Sequence, residues 1–422
     1  MNFVRKLSLC QIFNVNLQVS PVRRCVVGPS GASRAAVHKR RHAMVYDFIV
    51  MGAGMAGVSA AYELSQSASV LIIEAERQPG YHSSGRSAAL FTRNYGTALV
   101  RKINALSEPF FQTPPEGFAD GPLLRPRGAL AVAGANHGDK IDAVLAAATP
   151  DHPVHQVTSR EAVKMVPFLR LQYIARAAFE PGVSDIEVST LLWAYLKGFK
   201  RRGGQIKTGE PVAALNQIAK NWAVTTCRET YHAKTIINAC GAWADEVGAL
   251  AGAARIGLVA KRRTAIIVDA TPGYDVAALP CVDFAENEAY IKPDAGKLMV
   301  SPGDATATPP QDAQPDEMDV AMLTDWLERQ TLIPVRRIAH SWAGLRSFVP
   351  DENPVVGFDP LVPRFIWHAG QGGYGIMMAP ALARAVASLA QDARLPSDFQ
   401  AYHVTSDDLG PARLAIQPGS TI

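Results

Sequence analysis

Gly52, Gly54 and Gly57 stand at the spacing G-x-G-x-x-G, directly after the apolar run Phe48-Ile49-Val50-Met51. The chemistry such a loop performs is the holding of a diphosphate. Gly52 permits a tight turn out of a strand. Gly54 has no Cβ to keep the backbone away from a pyrophosphate, and Gly57 lets the next helix lie close on the strand. The helix that begins through Met55 and Ala56 offers unpaired backbone N–H groups and its positive dipole end to the phosphates. The elements that must carry the loop are a buried strand over 45–51, a small-residue helix reaching Leu64 and a second strand over 68–73. That second strand ends in Glu74, followed by Ala75. A carboxylate there accepts hydrogen bonds from ribose hydroxyls and repels a 2′-phosphate, which disfavours NADP. Strand, loop, helix, strand and acid in one register specify a dinucleotide, but by themselves leave FAD and NAD open.

The next segment narrows the choice. Tyr81-His82-Ser83-Ser84-Gly85-Arg86-Ser87-Ala88-Ala89 follows the acid closely. With it stand GAGMAG, TPPEGF, INACGAWAD, KRRTA, AYIKPDAGKL, SWAGLRSFVPD and GQGGYGI. On these stretches the chain from Met44 to about Pro411 resembles the D-amino-acid oxidase superfamily of flavoproteins. Within it, the chain looks most like the bacterial D-arginine dehydrogenase type. The resemblance implies FAD, held without a covalent bond, so that His82 is a structural residue. It implies that Ser84, Gly85, Arg86 and Ser87 wrap the diphosphate and ring edge, and that Gly241 and Trp243 let backbone approach the cofactor. Gly372, Gly373, Tyr374, Gly375 and Ile376 then open a helix toward the flavin ring, whose dipole stabilises negative charge on the reduced ring.

The same resemblance gives two arginines a task. Arg263, which opens an apolar strand, and Arg346 occupy positions that clamp a substrate carboxylate. Two guanidinium forks on one carboxylate fix the neighbouring carbon. Tyr290 and Tyr95 border that site. The implied reaction is hydride transfer from Cα of a D-amino acid to flavin N5, and the imine then hydrolyses to a 2-oxo acid and ammonia. No side-chain base is required if the amine arrives neutral. The pocket departs from the D-arginine dehydrogenase pattern. Ala129 replaces an acid, Leu90 a histidine and Met377 a glutamine, while Asp283 replaces an apolar residue. With Thr92 and Gly373 these line the expected pocket, which favours hydrophobic D-amino acids first and basic ones through Asp283 second. Oxidation of glycine or of N-methyl amino acids, and a non-catalytic flavoprotein assembly role, are the alternatives.

The 422 residues are 48% hydrophobic and 19% charged, a globular composition. Net charge is +4, yet residues 1–43 hold eight Lys or Arg and no acid, leaving −4 for the remainder. The basicity therefore belongs to a leader and does not argue for nucleic-acid binding. A translation start at Met44, a transit peptide and a disordered tail are three readings of that leader, the first favoured. The five cysteines (Cys10, Cys25, Cys227, Cys240, Cys281) form no C-x-x-C and no metal-ligand spacing. A cytoplasmic location is expected, with peripheral membrane association, or mitochondria if the leader is a transit peptide, as alternatives. No apolar run reaches spanning length. The electron acceptor is a quinone, another carrier or oxygen.

The expected fold is α/β: a Rossmann-like FAD-binding domain (44–96, 185–245 and 347–400) interleaved with an α+β substrate domain (97–184 and 246–346) on a mixed or antiparallel sheet. Residues 401–422 are expected as a C-terminal tail. Helices are expected over 138–147, 160–166, 185–204 and 322–330. Strands are expected over 212–215, 222–226, 235–238 and 364–371, with turns at Asn216 and Arg228–Glu229.

Overall fold

Apolar runs too short for helices and punctuated by glycine make strands, and here they make two large sheets. The computed structural model describes residues 44–414 apart from 271, 272 and 274; the basic leader and residues 415–422 lie outside them.

The first sheet has eight strands. Its centre is parallel: Val45–Met51 lies between Thr230–Asn238 and Val70–Ile73. Ile49, Val50 and Met51 are fully buried, as a strand covered on both faces requires. Phe365–Ala369 continues the sheet in parallel beside Thr230–Asn238. Helices Met55–Leu64, Val188–Arg201 and Gly375–Asp392 cover one face and share a single apolar core. Gly198 permits this: a Cβ there would lie 2.4 Å from the Tyr62 ring.

The second sheet has nine strands and is mixed. Cys281–Phe284 and Ala129–Ala133 run parallel, while the long pair Val259–Val268 and Ile338–Phe348 is antiparallel. Side chains alternate between faces every second residue. Ile266, Val268, Val282, Ile291, Leu298 and Val300 face a core sealed by Leu323 and Leu327 of helix Glu317–Gln330. The opposite face carries Arg263, Ala265, Met299, Tyr290 and Asp283, joined through the register pairs Ile267↔Met299, Lys292↔Met299 and Asp283↔Tyr290. A Rossmann-like sheet interleaved with an α+β half on a mixed sheet is thus the architecture.

Several local expectations shift. The hairpin turn falls at Ala219, φ 54°, because Val212–Ile218 is an edge strand whose polar Asn216 stays extended in solvent. The meander's third strand begins at Thr230. The helix expected from 185 starts at Val188, since Ser184–Ile186 pairs as a strand. The helix expected from 322 starts at Glu317, because the Asp316 carboxylate caps Met318 and Asp319. Arg263 lies mid-strand in Val259–Val268, not at its opening. Helix Ala98–Gln112 falls in the stretch assigned to the substrate half, yet its Val100, Ile103 and Leu106 pack into the core of the cofactor half. The described part of the C-terminal stretch is no tail: Val404 and Leu409 are buried, and Arg413 binds Asp351 at 2.8 Å.

Candidate active site

The glycine loop has the geometry its spacing demands. Gly52 has φ +99°, and a Cβ there would stand 2.5 Å from the Ala239 carbonyl oxygen. At Gly57 a Cβ would stand 1.9 Å from the Gly52 oxygen, so helix and loop touch through bare backbone. Gly54 is looser, with the Ser84 hydroxyl 3.3 Å from that position. Glu74 accepts backbone N–H groups from Ala53 at 2.5 Å and Glu76 at 2.8 Å, which pins the loop. Burial raises its pKa despite those two donors.

The 83–89 loop is anchored from several sides. Ser83 donates to the Leu345 carbonyl at 2.6 Å, and Ser84 accepts from the Met55 N–H at 2.9 Å. Arg86 spends its guanidinium on the Ala313 and Ala343 carbonyls and on Asp312. Its fork therefore ties loops together and is not free for a phosphate. Lys292, nearly buried, donates to the Ala88 carbonyl at 2.8 Å and lies 3.2 Å from Asp185, which Arg127 also binds.

A cleft runs from this loop to the second sheet. Gly54, Met55, Ala56, Ser84, Arg86, Ser87 and Gly241 line one end; Arg263, Tyr290, Arg346, Gly372, Gly373, Gly375 and Ile376 line the other. Arg263 and Arg346 reach it because Arg263 pairs with Gly344 and Lys261 with Arg346 across two strands, placing both guanidinium groups on one face. Among the described residues Arg346 has no carboxylate within 4 Å; its side chain lies against Gly373, where a Cβ would stand 3.1 Å from Nη1. The Arg263 side chain is 11% exposed, and its buried Nε has no partner. Burial and then the neighbouring Arg346 lower its pKa. Two under-partnered guanidinium groups side by side on the cleft wall form an anion site.

Titratable neighbours complete the electrostatics. Asp283 is pushed up to about 6 by burial and by Glu288, against the pull of Arg263. His368, fully buried beneath the Gly370–Gly372 turn, is pushed down to about 4 by burial and is neutral.

Comparison with known proteins places this geometry. The family described as DAO, FAD dependent oxidoreductase, matches residues 47–389. The chain belongs to this family. Its cofactor is FAD. A glycine oxidase of Geobacillus kaustophilus is 26% identical over 60% of this chain and 66% of its own length. Mitochondrial dimethylglycine dehydrogenase of Mus musculus is 25% identical over 78% of this chain and 40% of its own. The chain thus spans only part of each relative. Among solved structures, L-proline dehydrogenase from P. horikoshii aligns with a TM-score of 0.74 at 20% identity, covering 87% of this chain and 97% of the other.

The DAO-family cofactor fits the residues present. Bare backbone at Gly54 leaves room for a diphosphate at the helix N-terminus, while Gly52 and Gly57 let strand, loop and helix close up behind it. Gly241, φ +55°, has nothing within 4 Å where a Cβ would be, so its open side faces the cleft.

Other predicted residues lie elsewhere. Gly52, Gly57 and Glu74 brace the loop from behind, and Ala75 is exposed just after Glu74. Gly85 lines a neighbouring surface groove, and Trp243 packs on His82 at 4.7 Å. Tyr95, by contrast, touches Tyr374 edge-on at 5.2 Å and lies close enough to Arg346, Asp283, Glu288 and Arg263 for their charges to act on its hydroxyl. Thr92 commits its hydroxyl to Glu180 at 2.7 Å, and Met377 is buried in the helical core, so neither lines the cleft. Leu90 pairs with Asp185, while Ala129 sits between Glu180 and Cys281 in register. Lining residues that sequence reasoning missed include Ser83, Met299, His368 and Gln371. Met299 alternates with Leu298 and Val300, a signal readable as a face change; His368 lies hidden in an apolar run.

Proposed function

We propose that this chain catalyses FAD-dependent oxidative deamination of D-amino acids to 2-oxo acids and ammonia. The observation that carries the reading is the Arg263–Arg346 pair, which lines the cofactor cleft with Arg346 lacking any carboxylate within 4 Å among the described residues. Such a pair holds a carboxylate by two forks and so orients the carbon beside it. Bound FAD supplies the two-electron acceptor that takes hydride from that carbon. Tyr290 borders the clamp from the adjacent strand. Neutral His368 adds no positive charge to compete for the substrate carboxylate. The amine enters unprotonated, so the site needs no dedicated side-chain base. The D-arginine dehydrogenase-like motifs support the D-configuration. Ala88, Ala265, Met299 and Ile376 line the cleft and support hydrophobic side chains, with basic ones through Asp283 as the second choice. Electrons pass on to oxygen, a quinone or another carrier.

A second reading, oxidation of glycine or N-methyl amino acids, is favoured by the glycine oxidase and dimethylglycine dehydrogenase similarities. The discriminating experiment is anaerobic titration of the FAD-loaded protein with single D-, L- and N-methyl amino acids, following the oxidised flavin band. Bleaching by D-amino acids alone is the expected result. Bleaching by sarcosine or glycine, and not by larger D-amino acids, would transfer the assignment to the second reading.

A further inference from the structure

Arg263, on the cleft wall, has a negatively charged neighbour that the reaction does not use. Glu288 belongs to the turn between strands Cys281–Phe284 and Ala289–Asp294, and its backbone is left-handed, φ 57°. The turn is held from behind, since a Cβ on Gly303 would stand 2.5 Å from the Asn287 oxygen and 2.7 Å from Glu288 backbone atoms. Held so, Glu288 directs its carboxylate to Arg263, Oε2 lying 3.5 Å from Nη2. Among the described residues it is the only carboxylate within 4 Å of Arg263. Its side chain is 73% exposed, whereas that of Arg263 is 11% exposed. Asp283 sits on strand Cys281–Phe284, close enough for Glu288 to disfavour its charge.

We propose that Glu288 is a specificity-determining residue: it shares Arg263 when no substrate is present and repels any substrate that brings a second carboxylate. The inference rests on the reading of Arg263 and Arg346 as a carboxylate clamp. An ion pair with one largely exposed partner is weak and screened by salt, so it opens cheaply. A substrate carboxylate held by two forks displaces it. The turn keeps the displaced Glu288 within reach of the clamp. A second substrate carboxylate would then meet Glu288 and Asp283 with no cation left to pair with, and like charges brought together without a partner discriminate strongly. The site is thereby restricted to monocarboxylates.

The test uses the FAD-loaded protein and two carboxylates that cannot be oxidised, benzoate and isophthalate, with binding read from the shift of the flavin visible band. Wild type is expected to bind benzoate about tenfold tighter than isophthalate, and Glu288→Gln to narrow that gap to about threefold, tightening isophthalate about tenfold and benzoate about threefold. Glu286→Gln, on the same turn but beside His137, is expected to leave the gap unchanged. Raising salt on wild type should narrow it. A gap that is the same in Glu288→Gln as in wild type would overturn the proposal. If Arg346→Lys binds benzoate as well as wild type does, the clamp itself fails, and the role of Glu288 fails with it.

Discussion

Arg346 and Asp283 carry the sharpest consequences at the scale of single residues. A lysine at 346 keeps the charge but loses the planar fork. Arg346→Lys should retain FAD and lose roughly a hundredfold in kcat/KM, about 2.7 kcal/mol, in steady-state assays with the preferred amino acid. Asp283 titrates at about 6 in the folded protein, above the ordinary carboxyl value. The folded state therefore holds the proton more tightly than the unfolded chain, and stability declines as pH rises from about 4 through 6. Asp283→Asn should remove this slope, leaving the variant more stable than wild type at pH 8 by about 1–3 kcal/mol and little different below pH 4, as measured by denaturant melts. The glycine fingerprint was readable from spacing, because each glycine answers one steric demand, whereas the hold of Glu74 on the Ala53 and Glu76 N–H groups was not. The arginine pair needed the family motifs, since an isolated arginine is ordinarily a surface residue. Glu288 was invisible: in Phe284-Ala285-Glu286-Asn287-Glu288 it reads as a solvated turn, and only the fold brings it to Arg263.

At the scale of elements, the first strand and its helix form one unit whose spacing is set by absent side chains. Gly57→Ala would drive a methyl into the Gly52 carbonyl and should yield protein without FAD, seen as loss of visible absorbance on purification. Gly54→Ala meets only the Ser84 hydroxyl and should weaken FAD binding while leaving the fold intact. Strand and helix identities followed from periodicity, because burial on one or two faces writes itself into residue order. Boundaries followed less well. The Asn216 expectation failed because an edge strand tolerates polar residues, and the true turn uses Ala219, a residue with no turn signal. Helix Ala98–Gln112 was assigned to the wrong half because its amphipathic face does not say which core receives it.

The whole molecule is held together by contacts between distant parts of the chain. Arg413 binds Asp351 and the carbonyls of Leu409, Asn353 and Pro354, closing the end of the described chain onto the sheet that holds the cofactor. Arg413→Ala should lower thermal stability by about 1–3 kcal/mol with turnover of the remaining folded enzyme unchanged, checked by calorimetry beside kcat. Such closures are not legible in sequence, since the partners lie about sixty residues apart with no shared pattern.

The alternation of the nine-stranded sheet bears on how such an enzyme can diversify. Ile266 and Val268 face the core while Arg263 and Ala265 face the cleft, on one and the same strand. Point changes on the cleft side can retune substrate choice without disturbing the oily layer behind it. Inserting or deleting one residue upstream within the strand would instead turn Arg263 into that layer and an apolar side chain into the cleft. New preferences are therefore reachable by replacement of letters and closed to shifts of frame along the strand, however small.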